Sequence, residues 1–185
     1  LENWDIILIR QNPYFQTPKK VWVKGEVKVP GIYTLQKKGE NLRDVLTRSG
    51  GFTSKAFKDG IRMFRDKQQV VSQNFDIILL DGDSLFIPEN PGVVQVLGEV
   101  YKPGLIQYDN TKSLIDYIEN AGGFNLIADK KNIIVVYANG YVKVKKWYKK
   151  LTIGEGSTII IQIEEKNEPF NMTEFASNFT TIVTS

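Results

Sequence analysis

The chain alternates short apolar runs with turn residues, which predicts β-strands more than long helices. Val21–Val23 has the β-branched and aromatic composition that strands prefer. Pro30 and Gly31 then predict a turn, because proline presets φ and glycine accepts a positive φ. Ile32–Leu35 returns as a second apolar run, so this stretch predicts a β-hairpin.

A short amphipathic helix is predicted after the hairpin and again later in the chain. Asn41 with Asp44, and Ser113 with Asp116, have the spacing of a capping box, which marks a helix start. The apolar positions that follow at helical spacing are Leu42, Val45 and Leu46 in the first case, and Leu114, Tyr117 and Ile118 in the second.

Paired glycines end both helices, at Gly50-Gly51 and at Gly122-Gly123, where a left-handed residue is needed. Two or three further strands follow each helix. In the later case Asn139-Gly140 predicts a type I′ hairpin. The order of hairpin, helix and strands predicts an α+β unit with one main helix on one mixed sheet.

This pattern occurs twice. Residues 21–52 and 94–124 share Gly-Glu-Val-x-x-Pro-Gly, then Leu-x-Asp and then Gly-Gly-Phe, and Ile61–Arg65 matches Ile133–Tyr137 further on. The recurring polar, proline and glycine positions are Gly25, Glu26, Pro30, Gly31, Asp44, Gly50 and Gly51 in the first copy, and Gly98, Glu99, Pro103, Gly104, Asp116, Gly122 and Gly123 in the second.

Roles in holding the fold explain these recurring residues better than ligand binding does. Asp44 and Asp116 lie where a first-turn carboxylate caps a helix, and Glu26 and Glu99 lie beside a turn whose amides they would fix. The alternative is a pair of equivalent ligand sites. The glycines match neither a dinucleotide-binding nor a P-loop motif, so backbone geometry accounts for them.

Composition removes most catalytic chemistry. The 185 residues are 42% hydrophobic and 24% charged, as in globular proteins, and include no cysteine and no histidine. Thiol nucleophiles, disulfides, cysteine zinc sites and a Ser-His-Asp triad are therefore excluded. Asp81-Gly82-Asp83 lacks the other ligands of a calcium loop and predicts a turn into a strand. We expect no catalytic residue, metal or cofactor.

One cluster of basic and aromatic residues is a candidate ligand-binding surface. The net charge is only +3, which argues against nucleic acid as a partner. Lysines beside aromatic rings suit an anionic polymer such as an acidic polysaccharide, whereas the plainer interpretation is a solvated strand edge. The cluster consists of Lys143, Lys145, Lys146, Trp147, Tyr148, Lys149 and Lys150.

The repeated motifs resemble the SLBB domain, a soluble ligand-binding β-grasp module, over roughly residues 1–165. The resemblance implies two tandem ubiquitin-like β-grasp units, at 19–90 and 91–166. Residues 1–18 would be the last strand and linker of a preceding unit, so we expect a segment of a longer protein.

Two such units in tandem resemble the periplasmic part of an outer-membrane polysaccharide export protein. That resemblance implies a non-catalytic conduit for a capsular polysaccharide or exopolysaccharide, at the periplasmic face of the bacterial outer membrane. It also implies a homo-oligomer and an inner-membrane co-polymerase as partner. The alternatives are a stand-alone glycan- or small-ligand-binding module and, ranked last, a carboxylate-based glycosidase.

The last segment, residues 167–185, changes in composition and predicts a helix or tail. Its apolar residues at helical spacing allow either a helix packed on its own unit or the start of a helix leading into the outer membrane. These residues are Phe175, Phe179, Ile182 and Val183.

Overall fold

The computed structural model of the chain describes residues 6, 12, 17–71, 75–145 and 151–164, which form two β-sheets with one α-helix each. The first unit consists of β1 (Lys20–Gly25), β2 (Gly31–Thr34), α1 (Leu42–Arg48), β3 (Arg62–Arg65), β4 (Gln68–Val70) and β5 (Ser84–Ile87), with a 3-10 turn at Lys58–Gly60. The second consists of β6 (Val93–Gly98), β7 (Gly104–Gln107), α2 (Leu114–Asn120), β8 (Ile134–Val136), β9 (Val142–Val144) and β10 (Thr158–Ile161).

Both sheets have the same topology. The first runs in the order β2-β1-β5-β3-β4 and the second in the order β7-β6-β10-β8-β9. In each sheet the first and last strands of the unit pair in parallel at the centre, and all other neighbours are antiparallel. This is the β-grasp arrangement, and it confirms the predicted α+β class with two tandem units.

Local capping holds each helix, as the sequence predicted. The Asn41 side chain accepts a hydrogen bond from the Asp44 N–H at 2.9 Å, and the Asp44 carboxylate accepts one from the Asn41 N–H. At the other end, Gly50 has φ +80° and the Gly51 N–H donates to the Leu46 carbonyl at 3.0 Å, which forms a Schellman motif. The same contacts recur around α2.

Each sheet buries one face against its own helix. Alternate residues of the central strands form these cores, because successive strand residues point to opposite faces. Fully buried members include Val21, Val23, Val45, Leu85 and Ile87 in the first unit, and Tyr117, Ile118, Ile133, Ile159 and Ile161 in the second.

The two sheets differ on the face that points away from the helix. In the first sheet this face carries Arg62 and Phe86, which pair across β3 and β5, and Phe86 is 37% exposed. In the second sheet the corresponding pair is Ile134 and Ile160, at 0% and 4% exposure, with Val136 beside them. The second sheet is therefore apolar and buried on both faces, whereas the first is buried on one.

The Asn139-Gly140 hairpin was predicted with the wrong turn type. Gly140 has φ +85°, but Asn139 does not have the positive φ that a type I′ turn also requires there. The Tyr137 N–H donates to the Tyr141 carbonyl at 2.8 Å, so the loop has three residues and ends in a glycine bulge. A two-residue turn with two positive φ values occurs instead at Asp66-Lys67, between β3 and β4.

Several predictions fall outside the described residues. These are the strand within residues 1–18, apart from residues 6, 12, 17 and 18, most of the lysine cluster (146–150), and the tail at 167–185. Within the described ranges, no helix is long and apolar enough to cross a membrane.

Candidate functional site

The repeated glutamates take part in side-chain contacts that hold the fold. Glu26 accepts a hydrogen bond from the Thr53 hydroxyl, and Glu99 accepts one from the Asn125 side-chain amide. Each contact ties the end of a unit's first strand to the loop after its helix. The expected bonds to turn amides are not among the contacts that these described carboxylates make.

The repeated aspartates lie at helix N-termini, and their hydrogen bonds are those of capping residues. The pKa of Asp44 lies below its usual range, mainly because the Lys37 ammonium is 2.8 Å from its carboxylate. The pKa of Asp116 is lowered chiefly by the Ser113 backbone N–H, which donates to it at 2.6 Å. Both side chains are occupied by capping contacts, which supports a structural role.

The backbone of a neighbouring strand passes so close to the first glycine of each copy that no side chain fits there. Gly25 has φ +88°, and a Cβ there would overlap the carbonyl oxygen of Ile87 on the neighbouring strand. Gly98 stands in the same relation to Ile161. The Glu26 N–H donates to the same Ile87 carbonyl at 2.8 Å, so this contact ends the parallel pairing of β1 with β5.

The candidate lysine surface is described at Lys143 and Lys145. Val142 and Val144 pack on the outer face of the second sheet, and Lys143 therefore points to the other side. Its Nζ lies 5.2 Å from the ring centroid of Tyr137 and 5.3 Å from that of Tyr141. Lys143 is thus held by two cation–π contacts.

A cavity of about 440 Å³ lies at this point, between the two units. Its volume is within the usual range for small-molecule sites. The first unit contributes an apolar wall of Leu42, Ile61, Met63, Val70, Phe75 and Ile77. The second unit contributes a more polar wall that includes Tyr137, Asn139, Tyr141, Lys143, Thr152 and Glu155. We call this cavity the inter-unit cleft.

Hydrogen bonds fix the shape of the polar wall. The Tyr137 hydroxyl donates to the Thr152 carbonyl at 2.8 Å, and burial raises the pKa of Tyr137, so its phenol stays protonated. Across the junction, the Gln69 side-chain amide donates to the Asn139 carbonyl at 2.8 Å. This bond ties the β3–β4 hairpin of one unit to the hairpin loop of the other.

The charged side chains of the inter-unit cleft differ in their contacts. Glu155 accepts a hydrogen bond from the Gly92 N–H at 2.8 Å and so is directed at the connection between the units. Lys58 and Asp59 lie together at the 3-10 turn. Among the described residues, no carboxylate forms an ion pair with Lys143.

In the described part of the chain, no group of acidic residues is arranged to hold a metal ion. The inter-unit cleft presents aromatic faces, the ammonium groups of Lys58 and Lys143, the carboxylates of Asp59 and Glu155, and an apolar wall. The two sheets, each with the β-grasp topology, define the class of the chain as a tandem β-grasp protein.

Sequence comparison assigns the family. A family model described as the SLBB domain matches residues 20–76 and 93–142, more than half of the chain. The chain belongs to the SLBB domain family and carries two such domains in tandem, as the resemblance of the repeated motifs implied.

Two curated proteins from Escherichia coli are similar to part of the chain. Both are named polysialic acid transport protein KpsD, and each is 34% identical over 95 residues. The match covers 51% of this chain but only 17% of either relative. The chain thus corresponds to a small part of these longer proteins.

Sequence reasoning found Lys143 but missed its surroundings. Its predicted aromatic neighbours, Trp147 and Tyr148, lie outside the described residues. Among the described residues, the rings that contact Lys143 are those of Tyr137 and Tyr141, which the sequence analysis did not single out. The signal was present, because these two tyrosines flank the predicted Asn139-Gly140 hairpin. No sequence signal linked the apolar wall of the first unit to this hairpin.

Proposed function

We propose that the chain is a non-catalytic module of a polysaccharide export assembly. Its two units would contact neighbouring subunits and form part of the conduit for the exported polysaccharide. The observation that carries this proposal is the tandem pair of SLBB domains, together with the 34% identity to a protein named for polysialic acid transport. The proposal places the module at the periplasmic face of the outer membrane, with an inner-membrane co-polymerase as partner.

Matching exposed residues on the two units are candidates for the subunit contacts. Ile32 on β2 and Leu105 on β7 occupy equivalent positions and are 61% and 68% exposed. Each lies on an edge strand, and Ile32 pairs with the partly exposed Trp22. Repeated apolar residues on edge strands suit contacts between subunits of a ring, since a ring needs different faces of one subunit to meet.

The oligomeric state of the full-length parent protein in mild detergent tests this proposal. We expect a closed ring that the double substitution Ile32→Asp with Leu105→Asp disrupts, because charges would be buried at the contact. Val71→Asp is the matched control, since Val71 is 45% exposed and follows β4 at the opposite edge. A monomer under all conditions would reject the conduit.

The inter-unit cleft supports a second candidate function, a stand-alone glycan- or small-ligand-binding module. A cavity of about 440 Å³ with convergent aromatic rings is typical of ligand sites. The two functions differ in one measurable respect. A binding module keeps its affinity as a monomer, whereas a conduit requires the ring.

A further inference from the structure

We propose that the inter-unit cleft binds an acidic sugar residue, with the sugar carboxylate on Lys143 and the sugar ring against Tyr141 and the apolar wall. This inference rests on the proposed function, because it takes its ligand from the exported polysaccharide. It adds a specific site and a specific sugar chemistry, a ring that carries a carboxylate.

The first argument is the unpaired charge of Lys143. Lys143 is a partly buried residue, and its ammonium group lies 5.2 Å and 5.3 Å from two ring centroids and pairs with no carboxylate among the described residues. Aromatic faces stabilise the charge but accept no ordinary hydrogen bond from its three N–H donors. An anion in the cleft would accept those bonds, and partial burial strengthens the attraction.

The second argument is the apolar wall that faces Lys143. Ile61, Val70 and Phe75 are partly buried and line the cleft from the first unit. A small inorganic anion would leave this wall uncovered, whereas a purely apolar ligand would leave Lys143 without a counter-ion. A sugar ring with a carboxylate meets both conditions, because it has an apolar C–H face and a polar, charged edge.

The third argument is the state of the two tyrosine hydroxyls. The Tyr137 hydroxyl is engaged with the Thr152 carbonyl at 2.8 Å, which fixes the ring. The Tyr141 hydroxyl makes no hydrogen bond with any described residue, although its ring lies 6.2 Å from that of Tyr137. The hydroxyl is therefore open to bond a sugar hydroxyl, while the ring face that Lys143 does not cover contacts the sugar ring.

The inter-unit cleft is lined by charged residues other than Lys143, and their contacts bear on the charge of the ligand. Glu155 is bonded to the Gly92 N–H at 2.8 Å. Asp59 and Lys58 are neighbours on the same exposed turn, and the Lys58 Nζ lies 5.3 Å from the ring centroid of Phe52. Lys143 is the charged group held between the two tyrosine rings, and this is the point where a negative charge on a ligand would be attracted.

Binding in this cleft also couples the two units, since each contributes one wall. A ligand that contacts Tyr141 and Phe75 together bridges the second unit and the first. Because the ligand binds the folded arrangement of both units, it should raise the melting temperature of the chain, and the rise should grow with the logarithm of the ligand concentration once this exceeds the Kd.

Calorimetric titration of the full 185-residue chain tests the inference. The probes are a trimer of sialic acid and a trimer of galacturonic acid, with maltotriose as the neutral control. We expect both acidic trimers to bind and maltotriose to bind at least tenfold more weakly. Sodium acetate and inorganic phosphate at matched concentration should not displace the trimers.

Paired variants locate the site. Lys143→Met should lower the affinity for the acidic trimers at least tenfold, and Lys143→Arg should retain most of it, because the charge remains. Lys145→Met is the control, since Lys145 follows the same strand but does not line the cleft. Tyr141→Leu should weaken binding, whereas Tyr101→Leu, at a side chain that is 61% exposed and lies outside the cleft, should not.

The results that would overturn the inference are distinct from those that would overturn the export proposal. No binding of either acidic trimer, equal binding of maltotriose, displacement by acetate, or an unchanged affinity in Lys143→Met would each reject the acidic-sugar site. Normal binding by a protein that never forms a ring would reject the conduit and keep the site.

Discussion

Arg65 and Asp83 form a two-pronged ion pair inside the first unit. The Arg65 Nε and Nη2 each donate to one carboxylate oxygen of Asp83, both at 2.9 Å, and the Asp83 side chain is fully buried. The equivalent positions in the second unit hold Tyr137 and Ser157. Equivalent positions therefore differ in role: Arg65 forms an ion pair inside the first unit, whereas Tyr137 lines the inter-unit cleft from the second.

Breaking this ion pair should strongly destabilise the protein. Asp83→Ala removes the counter-ion of Arg65, whose guanidinium then keeps only its hydrogen bond to the Ile78 carbonyl at 3.1 Å. It also removes the acceptor of the Leu80 N–H, which donates to Asp83 at 2.8 Å. We expect a loss of about 3 to 5 kcal/mol in the free energy of unfolding, measured by urea denaturation. Arg43→Ala breaks an exposed pair with Asp76 and should cost less than about 1 kcal/mol. Equal losses in both variants would contradict the assignment.

Gly25 should be far less replaceable than a glycine with similar φ in open space. Gly25→Ala adds a Cβ that overlaps the Ile87 carbonyl oxygen, whereas Gly39, at φ +78°, has no atom within 4 Å of the added Cβ. Gly39→Ala should cost only the backbone strain of about 1 to 2 kcal/mol. Gly25→Ala should cost clearly more, because β1 and β5 must separate. Thermal unfolding of both variants measures the difference, and equal melting temperatures would refute the steric explanation.

The outer face of the second sheet should behave as core. Ile160→Ala removes a side chain that is only 4% exposed and should cost about 2 to 5 kcal/mol of unfolding free energy. Phe86→Ala, at the equivalent position of the first sheet and 37% exposed, should cost less despite the larger side chain. Chemical denaturation of the two variants makes the comparison. A larger loss for Phe86→Ala would show that the two faces are not buried as described.

The helix caps should make stability fall in acid. The pKa of Asp116 is lowered, mainly by the Ser113 backbone N–H, so below neutral pH the unfolded chain takes up its proton first. The Asp116 carboxylate makes its full contribution to stability above the pKa of the unfolded chain, which is about 4. This contribution is lost as the pH falls through the lower pKa of the folded state. Asp116→Asn should flatten this part of the stability profile. Glu119→Gln, later on the same helix, is the control, and an unchanged profile in Asp116→Asn would contradict the cap's role.

Short-range pattern was enough to predict most of the local structure. The capping residues Asn41 and Ser113 and the glycine pairs Gly50-Gly51 and Gly122-Gly123 mark helix ends through contacts within a few residues. The repeat itself predicted two units of one fold. One local prediction was wrong, at Asn139-Gly140, because the Tyr137–Tyr141 backbone bond closes a three-residue loop.

The sequence by itself therefore determined the two tandem units, their helices and their turns, because these depend on neighbours along the chain. Only the tertiary structure decided the parallel pairing of β1 with β5, the burial of Ile134 and Ile160 on a second face, and the inter-unit cleft. Each of these depends on contacts between residues far apart in sequence. Phe75 and Lys143 line one cavity because the packing of the two units brings their walls together.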